Sequence, residues 1–123
     1  MSESYRDLEI YKVSMDLFFS VHAVTMSLPK YELYELGSQL RRSANSVASN
    51  IVEGYGRRRY KAEYVRFLTF SHASGLETHG HLEKLIILYP GLAGDLSALK
   101  SKYDELGKMI YRYLQYVESE WRT

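Results

Sequence analysis

A chain of 123 residues is one domain's worth of polypeptide, and at 46% hydrophobic and 25% charged its composition is globular and not disordered. The lack of any cysteine excludes disulfides, a thiolate nucleophile and thiolate-bound zinc. Net charge is only +1, the opening MSESYRDLEIYK lacks a basic-then-apolar leader pattern, and no apolar run approaches the ~20 residues that span a bilayer; a single cytoplasmic domain over residues 1–123, with no membrane partner, is expected.

Two prolines and eight glycines beside twelve tyrosines point to long helices and few turns. Pro29 and the pair Pro90-Gly91 are the strong breaks, with Gly54 and Gly56 next. The first helix, over about 7–27, puts Leu8, Tyr11, Met15, Phe18, His22 and Thr25 on one face. A second apolar stripe, Ile10, Val13, Leu17, Val21, Val24 and Leu28, lies about 100° round from it. A helix apolar over that much of its circumference is buried on two sides. Broad core stripes also occur in small bundles, but with one side facing the core, the second stripe is expected to meet another subunit. Ile10, Val13, Leu17, Val21 and Val24 are therefore the candidate oligomer interface.

The second helix, over about 32–54, carries Leu33, Leu36, Leu40, Ala44, Val47 and Ile51 three or four residues apart. Leu40, Val47 and Ile51 are expected to be buried, and the small residues Gly37, Ser43, Ala44, Ser46, Ala48 and Ser49 to admit a neighbouring helix closely. The third, over about 61–89, carries Tyr64, Phe67, Leu68, Ser71, Gly75, Thr78, Leu82, Leu85, Ile86 and Tyr89. The fourth, over about 95–120, carries Leu96, Leu99, Tyr103, Leu106, Ile110, either Tyr113 or Leu114, and Val117, with Asp95 as the expected N-cap. No segment alternates with period two, so no strand is assigned. Short connections force consecutive helices antiparallel. The predicted fold is all-α, an antiparallel up-down four-helix bundle.

Catalytic patterns are missing from the sequence. A di-iron bundle needs Glu-x-x-His on two helices, and this chain has none. Glu77 and His81 are four apart and could share a metal, but an exposed helical salt bridge explains the pair better; His22, on the apolar face of the first helix, reads as a core histidine. There is no nucleophile elbow and no phosphate-binding glycine loop. No catalytic residue, metal or cofactor is assigned, and the protein is expected not to be an enzyme.

The charge distribution is more telling. Segment 39–66 holds Arg41, Arg42, Arg57, Arg58, Arg59, Lys61 and Arg66 against Glu53 and Glu63, a local +5 in a chain of net +1. Charge segregated in this way meets something anionic, or pairs within an assembly. Arg57, Arg58, Arg59 and Lys61 fall in the turn after the second helix, interleaved with Tyr55, Tyr60 and Tyr64. Arginine grips phosphate with two parallel hydrogen bonds, and tyrosine offers a face to an unpaired base. The seven basic residues with Tyr55 and Tyr60 form the candidate nucleic-acid surface. Against this stand the ion-pair spacings Glu53–Arg57 and Glu63–Arg66 and the preference of a helix C-terminus for cations.

These residues resemble a bacterial family of four-helix-bundle proteins encoded in intervening sequences of 23S ribosomal RNA genes, sometimes labelled ribosomal proteins. The resemblance runs through Pro29, Glu32, Tyr34, Leu36, Gln39-Leu40-Arg41-Arg42-Ser43-Ala44, Ser46-Val47, Asn50-Ile51, Glu53-Gly54, Glu63, Arg66-Phe67-Leu68 and Glu77, with the opening Arg6-Asp7-Leu8-Glu9-Ile10-Tyr11 similar as well. It covers roughly residues 5–90. It departs at Ala48, where the family often has proline, and at His79, where it usually has a second glutamate. The resemblance implies a homopentamer of bundles around a central channel. It also implies kinship with the accessory proteins of diversity-generating retroelements, which are similar pentamers binding nucleic acid and a reverse transcriptase. The expected function is a non-enzymatic homo-oligomer, pentameric by this resemblance, that binds RNA or DNA through its basic turn. The alternative is an oligomeric scaffold for a protein partner, with the arginines in subunit or partner contacts.

Overall fold

The computed structural model describes residues 4–122. Four long helices, α1 (Glu9–Thr25), α2 (Leu36–Gly56), α3 (Lys61–Leu88) and α4 (Ala93–Glu120), account for most of them, and no strand occurs among the described residues. A 3-10 turn, Tyr5–Asp7, precedes α1; a single helical turn, Lys30–Leu33, precedes α2; a second 3-10 turn, Pro90–Leu92, leads into α4. Helix α2 packs against α1 and α3, and α4 against α3 and α1, so each helix has two neighbours around one core.

The apolar periodicity of three of the helices sets that core. Leu40, Val47 and Ile51 of α2, Tyr64, Leu68, Leu82 and Leu85 of α3, and Leu96, Leu106, Ile110 and Val117 of α4 are essentially inaccessible to solvent. The small residues of α2 form a close hydroxyl seam with α3. Ser71 Oγ donates to the Val47 carbonyl at 2.7 Å, Ser74 Oγ to Ser46 Oγ at 3.0 Å, and Thr78 Oγ1 to Ser43 Oγ at 2.9 Å. Residue numbers fall along α2 as they rise along α3. Buried hydroxyls are tolerable here because each finds a partner.

Three expectations need correction. The second helix does not run unbroken from residue 32. The buried Glu32 carboxylate accepts from the Leu36 amide at 3.1 Å and from the Tyr89 hydroxyl at 2.7 Å. It satisfies an orphan amide of a new helix start, and the chain breaks at residues 34–35 before α2 begins. The fourth helix starts earlier than expected, because the 3-10 turn at Pro90 runs directly into it; Leu92 takes the N-cap position. Asp95 falls inside the first turn, where its charge still favours the helix N-terminus.

The third correction concerns α1. Ile10, Leu17 and Val21, assigned to a subunit interface, are buried in the protomer's own core with Leu28, and Val13 and Val24 pack half-buried against it. The aliphatic stripe takes the inner position with Ser14 and Thr25, whose hydroxyls bond back to the Tyr11 and His22 carbonyls at 2.9 Å. The rings are left at the edge. Tyr11, Met15 and Phe18 are half-buried, His22 is exposed, and Phe19 and Met26 are 60% and 52% exposed. Helix α1 is apolar on two sides, as its sequence says, but the second stripe lies inward, while of the first stripe only Leu8 and Thr25 at its ends are buried.

Candidate nucleic-acid interface

Helices α2 and α3 converge on a four-residue turn, Arg57 to Tyr60. Gly54 permits the convergence: a Cβ there would lie 3.1 Å from Phe67 Cβ and 3.3 Å from a Tyr64 ring carbon. The turn is held by its own backbone, with Arg57 N–H donating to the Gly54 carbonyl at 3.0 Å and Tyr60 N–H to the Arg57 carbonyl at 2.9 Å. Four basic side chains in and just after it, with Arg66 one turn further along α3, therefore leave from one end of the bundle.

Their surroundings differ. Arg57 donates to Glu63 at 2.9 Å, lies 3.7 Å from Glu53, and stacks 4.7 Å over the Phe67 ring. Arg66 reaches the other oxygen of Glu63 at 3.5 Å and sits over Phe67 and Phe70 at 5.8 and 5.4 Å. Arg58 is half-buried: its guanidinium lies 3.9 Å over the Tyr55 ring and donates to the Tyr55 carbonyl at 2.9 Å. Arg59 is exposed, 5.8 Å over the ring of Tyr60. Lys61 is half-buried at the start of α3.

The ion pairs of Glu53 and Glu63 do not cancel this charge. Arg57, Arg58, Arg59, Lys61 and Arg66 against two glutamates leave a local +3. The arginines of these pairs are solvent-exposed, with side chains 46% and 55% exposed for Arg57–Glu53, 46% and 32% for Arg57–Glu63, and 60% and 32% for Arg66–Glu63, so only Glu63 is half-buried. Exposed pairs contribute about 0–1 kcal/mol, so a phosphate can displace them at little expense.

The structure does not gather all the expected residues here. Arg41 and Arg42 lie about 22 Å away along α2, fifteen residues of helix from Arg57. Arg41 is half-buried, folded back so that Nη2 donates to the Leu33 carbonyl at 2.8 Å. Gly37 makes that possible, since a Cβ there would lie 3.2 Å from Arg41 Nη1. Arg42 is exposed but remote from the turn. Tyr55 is buried at 6%, because it continues the core stripe of Ala44, Ala48 and Ile51, so its ring offers no face to a base. Tyr60, 57% exposed, does. Behind the turn lies an aromatic cluster. Tyr64 is sealed in the core and its hydroxyl shares a 2.8 Å hydrogen bond with that of Tyr113. Burial pushes the pKa of both phenols up from the ordinary tyrosine value.

Two of the four histidines lie against carboxylates. His81 faces Glu77 at 3.2 Å, as their spacing suggests, but it is buried and so not the exposed bridge expected. His79 bridges Glu83 on its own helix and Asp104 on α4, each at 3.2 Å. Among the described residues no three histidine or carboxylate groups come close enough to hold a metal ion. No described helix is long and apolar enough to cross a membrane.

The family model of the 23S rRNA-intervening sequence protein matches residues 6–112, all of α1, α2 and α3 and most of α4. The chain belongs to the 23S rRNA-intervening sequence protein family. No curated protein matches it. The basic turn of this intervening-sequence protein, and the Gly54 that shapes it, fall within the matched stretch. One residue that touches the turn falls outside it and carries no signal in the sequence pattern. Trp121, just past α4, donates its indole N–H to the Arg58 carbonyl at 2.7 Å.

Proposed function

We propose that this intervening-sequence protein is a non-enzymatic homo-oligomer of antiparallel up-down bundles, a pentamer by family resemblance, that binds RNA or another nucleic acid through the turn between α2 and α3. The observation that carries the reading is the local +3 that remains after Glu53 and Glu63 are counted, beside the exposed ring of Tyr60. Phosphates take the outward guanidinium groups and an unpaired base takes the tyrosine face. The test is binding of RNA, single-stranded DNA and duplex DNA across a salt series. Affinity is expected to fall steeply with salt, by counterion release, and Arg57, Arg58 and Arg59 changed together to Ala to weaken every ligand and flatten the slope. No binding at low salt overturns the reading.

The second reading is an oligomeric scaffold for a protein partner. It is favoured by the exposed apolar residues Phe19 of α1, Met26 just after it, and Leu76, Ile87 and Leu88 of α3. Sedimentation of a Phe19→Glu variant tests the α1 face without entering the core. Dissociation with unchanged helicity supports that face as a subunit contact. An arginine triple variant that falls apart into monomers places the basic turn in the interface, and the scaffold reading then replaces the first.

A further inference from the structure

The residue that follows α4 is tied to the basic turn. Trp121 stacks edge-on against Tyr64, ring centroids 5.2 Å apart, and against Tyr116 at 6.4 Å. Its indole N–H reaches across sixty-three residues of sequence to the Arg58 carbonyl at 2.7 Å. No backbone amide of the turn donates to that carbonyl. Tyr64 in turn meets Tyr55 edge-on at 6.5 Å, and Tyr55 carries the Arg58 guanidinium on its ring. Trp121, Tyr64, Tyr55 and Arg58 therefore close a cycle through α4, α3, α2 and the turn. Arg58 is held at both ends, its carbonyl by the indole and its guanidinium by the Tyr55 ring and carbonyl.

We infer that Trp121 is a positioning residue for the arginine turn, and that Arg58 is the turn's internal anchor and not one of its phosphate ligands; this rests on the reading of the turn as a polyanion surface. The physical argument is about dihedrals. A backbone has two soft torsions per residue. Fixing the Arg58 carbonyl fixes the plane of the peptide joining it to Arg59, and so the direction in which Arg59 leaves the turn. The guanidinium of half-buried Arg58, stacked on a buried ring and bonded to the Tyr55 carbonyl, is already engaged. Arg57 and Arg59 on either side remain exposed. A turn already ordered loses less conformational freedom when it binds. The inference separates two roles among residues that look equivalent as Arg-Arg-Arg.

The test uses the full chain and an unstructured oligouridylate as probe. Trp121→Phe keeps a ring against Tyr64 and removes only the donor. Arg58→Ala releases the same anchor from its other end without touching Trp121. Both are expected to weaken oligouridylate binding by roughly twofold to tenfold, the value of one hydrogen bond, and to leave the salt slope unchanged. Amide exchange at residues 58–60 is expected to accelerate by a similar factor, with the core amides of α2 and α3 unaffected. Arg59→Ala, the contrasting variant, is expected to lower the log–log salt slope by about 0.7, one phosphate contact to a single strand. A purely structural role for Trp121 would speed exchange throughout the bundle. The inference is overturned if Trp121→Phe leaves exchange at 58–60 at the parent rate, or if Arg58→Ala lowers the salt slope as Arg59→Ala does. If the parent itself binds no oligouridylate at low salt, the polyanion reading fails. The exchange comparison then decides Trp121's hold on the turn alone: faster exchange confined to 58–60 supports it and the parent rate refutes it.

Discussion

Two glycines in neighbouring helices should respond to the same substitution with opposite signs. Alanine in a helix interior is favoured over glycine by up to about 1 kcal/mol. At Gly75 of α3, a Cβ would meet nothing within 4 Å, so the gain is unopposed. At Gly54 of α2, the same Cβ would lie 3.1 Å from Phe67 Cβ and 3.3 Å from the Tyr64 ring. Phe67 Cβ is bonded to the backbone and cannot swing aside, so α2 and α3 must separate. Overpacking of this kind costs about 1–3 kcal/mol, which outweighs the propensity gain. Unfolding entropy of about 2.1 cal/mol/K per residue makes 1 kcal/mol worth about 4 °C in a chain of this length. Gly75→Ala is thus expected to melt about 2–4 °C above the parent, and Gly54→Ala about 4 °C below it. Thermal melts should be run at one protein concentration, because assembly shifts the midpoint by mass action. A Gly54→Ala variant that melts at or above the parent would refute the claim that close approach at residue 54 shapes the turn.

Other perturbations probe the core. Leu40 is fully buried in the second turn of α2, and Leu40→Ala is expected to lower stability by about 2–5 kcal/mol, read from the urea midpoint. Tyr103 is buried with its hydroxyl lacking a hydrogen-bond partner. Tyr103→Phe removes an unsatisfied polar group and is expected to raise stability by about 1–2 kcal/mol in the same assay. Burial also raises the phenol pKa of Tyr64, Tyr103 and Tyr113. The unfolded chain releases these protons near about pH 10, while the folded chain retains them. Their contribution is therefore complete below that pH and is lost as pH rises above it, so the urea midpoint should fall beyond about pH 10, and less steeply in Tyr64→Phe.

The helices were legible wherever one stripe clearly exceeded the other. In α2, Leu40, Val47 and Ile51 share a face whose opposite side is Arg42, Asn45, Ser49 and Glu53, so the phase follows from sequence alone. In α1, both Ile10–Leu17–Val21 and Tyr11–Met15–Phe18 are apolar, and periodicity assigns no priority between them. What decides is shape. The aliphatic stripe brings branched side chains and two hydroxyls that satisfy themselves on their own helix, and it fits between α2 and α4. Sequence periodicity carries no information on that fit. The break before α2 was hidden for a similar reason: Glu32 caps Leu36 while holding Tyr89, a residue fifty-seven positions away.

The arginines show the same limit in charge. A count along the sequence treats Arg41, Arg57, Arg58 and Arg59 as equivalent unit charges. Three-dimensional contacts divide them by what each guanidinium already touches. Arg41 is occupied by a carbonyl at the far end of α2, Arg58 by a ring and a carbonyl behind the turn, and Arg57 by carboxylates that solvent screens. An ion pair in water is readily exchanged for a phosphate; a stacked, half-buried guanidinium with a fixed acceptor is not, because leaving the acceptor unpaired costs about 1–3 kcal/mol. The charge available to a polyanion is therefore set by which contacts are exchangeable, and on that criterion Arg57, Arg59 and Arg66 face outward while Arg41 and Arg58 maintain the fold that presents them.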